Sequence, residues 1–250
     1  MHNYLILLRR ELGCYFLSLT GYVIIAGALI LLGLGFAVML LAYNGDTIDV
    51  PLTELFYGTM FFWLIVLVAT PVITMRLFAM ERATGTFETL MTAPVGDGQV
   101  VLAKFTAAFL FYFVMWLPLA GCLRLVHHYT AAGLGFDWWP VVSTYLGILL
   151  IGSLYIAIGC FASALTRSQI IAAMTSFAIG VSLFLLSFLR FSVGQRSGFA
   201  AQVATYTSMF DHMEDFVRGV VDTRHIVFYL TLTGICLFLT LKVVESRRWR

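Results

Sequence analysis

Residues 81–104 read Glu-Arg-Ala-Thr-Gly-Thr-Phe-Glu-Thr-Leu-Met-Thr-Ala-Pro-Val-Gly-Asp-Gly-Gln-Val-Val-Leu-Ala-Lys, a polar island between two long apolar runs. Most connections between the apolar runs of this chain are short and plain. This one is long, carries charges of both signs, and is punctuated by Gly85, Pro94, Gly96 and Gly98. A loop built that way, held between rigid elements, is a place for contact with something else.

The runs on either side set the class. The chain has 250 residues, of which 61% are hydrophobic and 11% charged, with mean hydropathy +0.95. A soluble domain carries about 25% charged residues. So few charges cannot cover a globular surface, and the surplus apolar surface must face lipid. Six runs reach the roughly 20 residues that a helix needs to cross a hydrocarbon core: about 19–43, 55–79, 101–124, 140–165, 169–190 and 224–244. Barrel-strand alternation is absent. The expected fold is therefore an all-α polytopic membrane protein, one unit over 1–250. The first run is too long and too late for a cleaved signal peptide.

Basic residues orient the spans. With the N-terminus cytoplasmic, the inner side holds Arg9, Arg10, Arg76, Arg82, Lys104, Arg167, Lys242, Arg247, Arg248 and Arg250. The outer side holds Arg124, Arg190, Arg196, Arg218 and Arg224. The expected location is a cytoplasmic (inner) cell membrane, with both termini cytoplasmic. These basic residues flank the membrane, so the net charge of +2 carries no nucleic-acid signal.

Residues 1–17 suit a helix lying on the inner interface, with Leu5, Leu8, Leu12 and Tyr15 on its apolar stripe. Pro71 and Pro118 fall inside spans two and three, where each removes a backbone hydrogen bond and favours a kink. Small residues recur every few positions at Ser153, Ala157, Cys160 and Ala164 in span four, and at Ala172, Ser176 and Gly180 in span five. Such stripes let membrane helices approach closely. The turn Thr166-Arg167-Ser168 makes these spans an antiparallel hairpin. From Arg190 to Arg224 the chain reads as short outer helices before the last span, with Glu214 and Arg218 at a favourable helical spacing. Trp138 and Trp139 mark the outer interface.

Several chemistries are missing. Neither lysine, Lys104 or Lys242, follows a glycine, so no phosphate-binding Gly-Lys-Ser/Thr loop exists. No His-Glu-x-x-His or Gly-x-Ser-x-Gly occurs. The spans carry essentially no ionisable residue at mid-depth, which argues against an ion-coupled carrier. His127, His128 and His212 lack companions at metal-ligand spacing, and the four cysteines read as small apolar filler. The chain is expected to be no enzyme and to hold no cofactor or metal.

Within the island, Gly85 breaks the extension of span two. Thr86 can cap a short helix running to about Met91, which Pro94 ends. Asp97 can cap span three. Phe87, Leu90 and Met91 would give that short helix an apolar edge, and Glu81, Arg82 and Glu88 its charge. It has the form of a knob for a groove on a soluble partner. An ordinary interfacial loop accounts for the same residues on physical grounds alone.

The pattern Glu-Arg-x-x-Gly-Thr-x-Glu-x-Leu-x-x-x-Pro-Val, then Val-Val-x-x-Lys, resembles the loop of ABC-2 type permeases, the membrane subunits of type V ABC exporters. Glu81, Arg82, Gly85, Thr86, Glu88, Leu90, Pro94, Val95 and Lys104 carry the match. Relatives often have Gly-Lys where this chain has Ala103-Lys104. The segment from Asp215 to Trp249, through Arg218, Gly219, Asp222, Glu245 and Arg247, is similar to the gliding-motility-associated branch.

The resemblance implies a permease bound to an ABC ATPase subunit, which binds and hydrolyses the ATP. It also implies a second permease, either another copy or a relative. The helix at 84–93 would be the cytoplasmic coupling helix, with Glu81, Arg82, Gly85, Thr86, Phe87, Glu88, Leu90 and Pro94 as its ATPase-coupling residues. Spans one, two and five would line a path for a lipid, glycan or other amphipathic cargo, with membrane lipid as a further partner. The alternative is a non-transporting scaffold that recruits an ATPase to a motility or secretion machine.

Overall fold

A computed structural model of the chain describes residues 2–43, 52–86, 96–130, 138–187 and 206–248. The elements are helices: α1 (His2–Phe16), α2 (Leu19–Tyr43), α3 (Leu52–Tyr57), α4 (Met60–Thr74), α5 (Ala79–Ala83), α6 (Asp97–Thr130), α7 (Trp138–Leu165), α8 (Gln169–Leu186), α9 (Met209–Val217) and α10 (Thr223–Arg248). Among the described residues no strand occurs, and six helical segments are long and apolar enough to cross a membrane. The chain is an all-α multi-pass membrane protein.

Helix α7 is the axis of the bundle. Its span is 83% buried, against 28% for α2 and 17% each for α8 and α10. It packs against α4, α6, α8 and α10, while α2 lies across α4 and α6. Small residues make this centre possible, because apolar helices in lipid associate by close van der Waals packing. Gly159 on α7 meets α4 so closely that a Cβ there would sit 2.0 Å from Thr74 Oγ1. The small stripes are indeed buried, but they face different neighbours. Ser153 meets Thr233 of α10 at 3.2 Å. Gly180 of α8 lies under the ring of Tyr155, whose hydroxyl donates to the Gly180 carbonyl at 3.2 Å.

The run expected as one span over 55–79 is broken twice. Helix α3 ends at Tyr57, where Thr59 Oγ1 donates to the Phe56 carbonyl at 2.6 Å. Helix α4 continues past Pro71 to Thr74, then four residues of turn, 75–78, intervene before α5. In α6 the ladder is interrupted beside Pro118. Tyr145 of α7 accepts from the Ala120 amide at 2.8 Å and donates to the Trp116 carbonyl at 2.9 Å. These two groups are an i to i−4 pair, so the tyrosine hydroxyl is spliced into the helix where proline already weakens it.

Helix α1 also differs from expectation. Leu5 points outward at 59% exposure, and the inward stripe runs through Tyr4, Leu7, Glu11 and Tyr15. Glu11 is buried because a lysine of α6 waits for it (below). Asp97 stands inside the first turn of α6 rather than at its cap; the Gly96 carbonyl accepts from Gln99 and Val100. At the opposite end of the bundle, α9 is seated by Ser143 and Thr53. They donate to the carbonyls of Phe216 and Val217. The expected Glu214–Arg218 pair is present at 2.7 Å, joined by Glu54 at 2.9 Å from the same arginine.

Candidate functional site

The island begins inside the bundle. Where α4 gives way to turn, the amides of Phe78 and Ala79 would be left without partners at the start of a new helix. Ser163 of α7 supplies one: its Oγ accepts from both, at 3.0 and 3.1 Å, and donates to the Met75 carbonyl at 3.3 Å. One hydroxyl thus holds both sides of the break. It fixes the direction in which α5 leaves the membrane helix.

Helix α5 carries Glu81 and Arg82, and each is anchored. Lys104 Nζ of α6 lies 2.9 Å from Glu81 Oε1 and 3.0 Å from Glu11 Oε1 of α1. Arg10 Nη2 lies 2.7 Å from the same oxygen of Glu81 and 3.0 Å from that of Glu11. Two cations and two carboxylates therefore alternate across three helices. The lysine is the buried member, its side chain 3% exposed, while Arg10 reaches water. The lysine ammonium also stands 5.5 Å from the Phe78 ring centroid, on its face. Burial acts to lower the Arg10 pKa, but Glu11 and Glu81 outweigh it and the net shift is upward.

Arg82 turns the other way. Its buried guanidinium donates from Nη1 to the carbonyl of Ala164, in the last turn of α7. Carbonyls there lack helical partners and carry the negative end of the helix dipole, so a cation suits them. Glu81 thus ties the island to α1 and α6, and Arg82 ties it to α7.

Gly85 ends α5 as expected. Thr84 closes the helix by donating its backbone N–H to the Met80 carbonyl, and Gly85 then adopts φ 75°. That left-handed conformation costs glycine little and most residues more. Thr86 Oγ1 lies 2.9 Å from Thr84 Oγ1 and donates back to the Glu81 carbonyl at 3.4 Å. Phe87, Glu88, Leu90 and Pro94, and with them the short helix expected over 84–93, lie outside the described residues beyond Thr86.

Sequence reasoning missed Arg10, Glu11 and Ser163, and gave Lys104 no task. A lone glutamate in an otherwise apolar and basic interfacial helix was the available signal. At the far end, His212 and His225 stack with ring centroids 4.0 Å apart, and His225 Nε2 lies 3.0 Å from Asp215 Oδ2. Burial, then His225, lowers His212 to about 4. Among the described residues no group of three or more His, Cys, Asp or Glu is placed to hold a metal.

The described part of the island, residues 81–86, is thus ionically bonded to α1 and α6 and hydrogen-bonded to α7. Residues 34–218, most of the chain, match the family described as ABC-2 family transporter protein. No curated protein matches the chain.

Proposed function

The chain belongs to the ABC-2 family of transporter proteins, and from that premise we propose that residues 81–94 couple it to a separate ATPase that drives export. At the coarser level it is the membrane permease subunit of an ABC transporter, and family membership implies an ABC ATPase as partner. The finer reading places ATP binding and hydrolysis on that partner. A second permease, identical or related, completes the membrane unit. The island then lies on the cytoplasmic side of an inner membrane, and both termini lie there too.

One observation carries this reading. A push reaching α5 is passed on by Glu81 and Arg82 to α1, α6 and α7, to which they are bonded. Closure of two ATPase subunits would move those helices as packed bodies. The many apolar faces of the spans favour a lipid, a lipid-linked glycan or another amphipathic cargo. The resemblance to the gliding-motility branch offers a surface machine as the setting, in which the chain could serve as a scaffold.

Affinity purification from the native membrane tests the partner: a P-loop ATPase should remain bound, with about one ATPase per permease. The island is tested by Glu88→Lys in the reconstituted complex. The expected result is weaker ATPase retention or ATP use without transport, in a permease that still folds. Full retention together with full transport would sink the coupling assignment.

A further inference from the structure

At the N-terminal end of the bundle a cavity of about 290 Å³ lies between α1, α2 and α4. Arg76, Ser18 and Thr20 line it. Arg76 Nη1 donates to Thr20 Oγ1 and stands 3.4 Å from Ser18 Oγ. The two hydroxyls are 2.6 Å apart. One of them donates to the other, which leaves the acceptor's own proton to donate elsewhere. Lys104 and Arg10 in the same cavity are both paired with carboxylates. Among the described residues no carboxylate pairs with Arg76. Glu11 and Glu81 also line the cavity but are taken up by Lys104 and Arg10, and Arg76 Nη2 reaches Met80 Sδ at 3.5 Å. Among the described residues Arg76 is therefore the cation without a carboxylate, beside two hydroxyls, a set complementary to a phosphodiester.

A second cavity, of about 220 Å³, continues from the first, sharing Ile24 and Val72 with it. It is a trough between α2 and α4, walled by aliphatic side chains such as Val23, Leu31 and Ile65. Its floor is open at Gly27, where a Cβ would meet nothing within 4 Å. Along α2 the two cavities extend from Thr20 to Leu31, about 16 Å at 1.5 Å per residue. That is one leaflet of a hydrocarbon core about 30 Å thick. A polar pocket with an unmatched cation at the interface, joined to an apolar trough one leaflet deep, has the shape and charge of a lipid.

We propose that these cavities bind one phospholipid, its phosphodiester against Arg76, Ser18 and Thr20 and one acyl chain in the α2–α4 trough. This site goes beyond the permease reading and does not depend on it. A soluble phosphate would satisfy Arg76 but leave the trough without an occupant. A neutral diacylglycerol would fill the trough but leave Arg76 unmatched.

Native mass spectrometry of the delipidated full-length chain, titrated with phosphatidylglycerol, tests the site. The wild type should retain one lipid under conditions that strip the rest. Arg76→Gln should weaken that binding about tenfold, the scale of one charge-assisted contact. Gly27→Leu puts a side chain into the trough at a position where its Cβ meets nothing within 4 Å and should weaken it comparably, with the lipid-free protein unfolding no earlier than the wild type. If Arg76→Gln does not fold, Gly27→Leu carries the test. Equal retention by wild type and Gly27→Leu overturns the proposal. So does diacylglycerol binding as tightly as phosphatidylglycerol, or displacement of the lipid by millimolar inorganic phosphate. Loss of the ATPase partner in the purification above would leave these outcomes untouched.

Discussion

Lys104 is the residue on which the root of the island turns. Its ammonium is buried between two carboxylates, and the desolvation of three charges is offset only because each has an opposite charge at 2.9–3.0 Å. Remove the lysine and Glu11 is left to Arg10 alone, while Glu81 has one buried oxygen, Oε2, that already lacks a hydrogen bond. Lys104→Ala should therefore destabilise the fold by about 3 kcal/mol, the scale of an unpaired buried charge. Removing Glu11 at the same time should recover most of that loss, since Arg10 still holds Glu81 at 2.7 Å. Thermal unfolding of Lys104→Ala and of Lys104→Ala with Glu11→Leu measures both. An unchanged midpoint in the single variant would show that the cluster holds nothing in place. The sequence displayed Glu81, Arg82 and Lys104 as a motif, but their use was not legible. Besides Glu81, Lys104 pairs with Glu11, 93 positions away in α1, and neither of these two residues' pattern of neighbours announces the other.

At the scale of helices the sequence was a better guide. Each of the six apolar runs has a helical counterpart long and apolar enough to cross a membrane, because a long apolar run in lipid can satisfy its backbone only as a helix. Span two is among them, but there the apolar run is continuous while the helix is interrupted. Its breaks rest on hydrogen bonds made by Thr59 and Ser163, and the second of these comes from another helix. Hydropathy has no term for that. Contact between α4 and α7 was similarly hidden in a single glycine. A methyl group at position 159 would overlap Thr74, whose hydroxyl is already committed to the Thr70 carbonyl at 2.8 Å. The helices must move apart, and the loss of close packing costs about 1–3 kcal/mol. Gly159→Ala should lower the unfolding midpoint accordingly. Gly27→Ala, in mid-helix and facing open space, should instead raise it, by the roughly 0.5–1 kcal/mol that alanine gains over glycine in a helix. Equal midpoints for the two would mean that α4 and α7 do not meet as closely as Gly159 requires.

For the whole molecule, the burial of the spans is uneven, and that unevenness bears on how a second permease would sit. Helices α4, α6 and α7 are more than half buried, whereas α2, α8 and α10 present large apolar residues outward. In α8 the small stripe is already buried, Gly180 of it against Tyr155 of α7, and the outward residues include Ile170, Met174 and Phe177. Helices α2 and α8 both flank α4, while α10 packs on α7 and α6. If the second permease is another copy, it meets the first across a two-fold axis. A residue near that axis then faces its own counterpart. The resemblance to permeases whose path is lined by spans one, two and five favours the α2–α4–α8 side. In a cysteine-free background, single cysteines at Ile170, Met174 and Phe177 should include one that yields a disulfide-linked dimer in native membranes. Cysteines at Leu230 and Phe238 of α10 should not, because a disulfide needs Cα atoms within about 7 Å. Linkage through α10 alone would move the partner to the other side of the bundle. Linkage at neither face, with a related permease retained in the purified complex, would make the membrane unit a heterodimer and leave the α8 face to that relative.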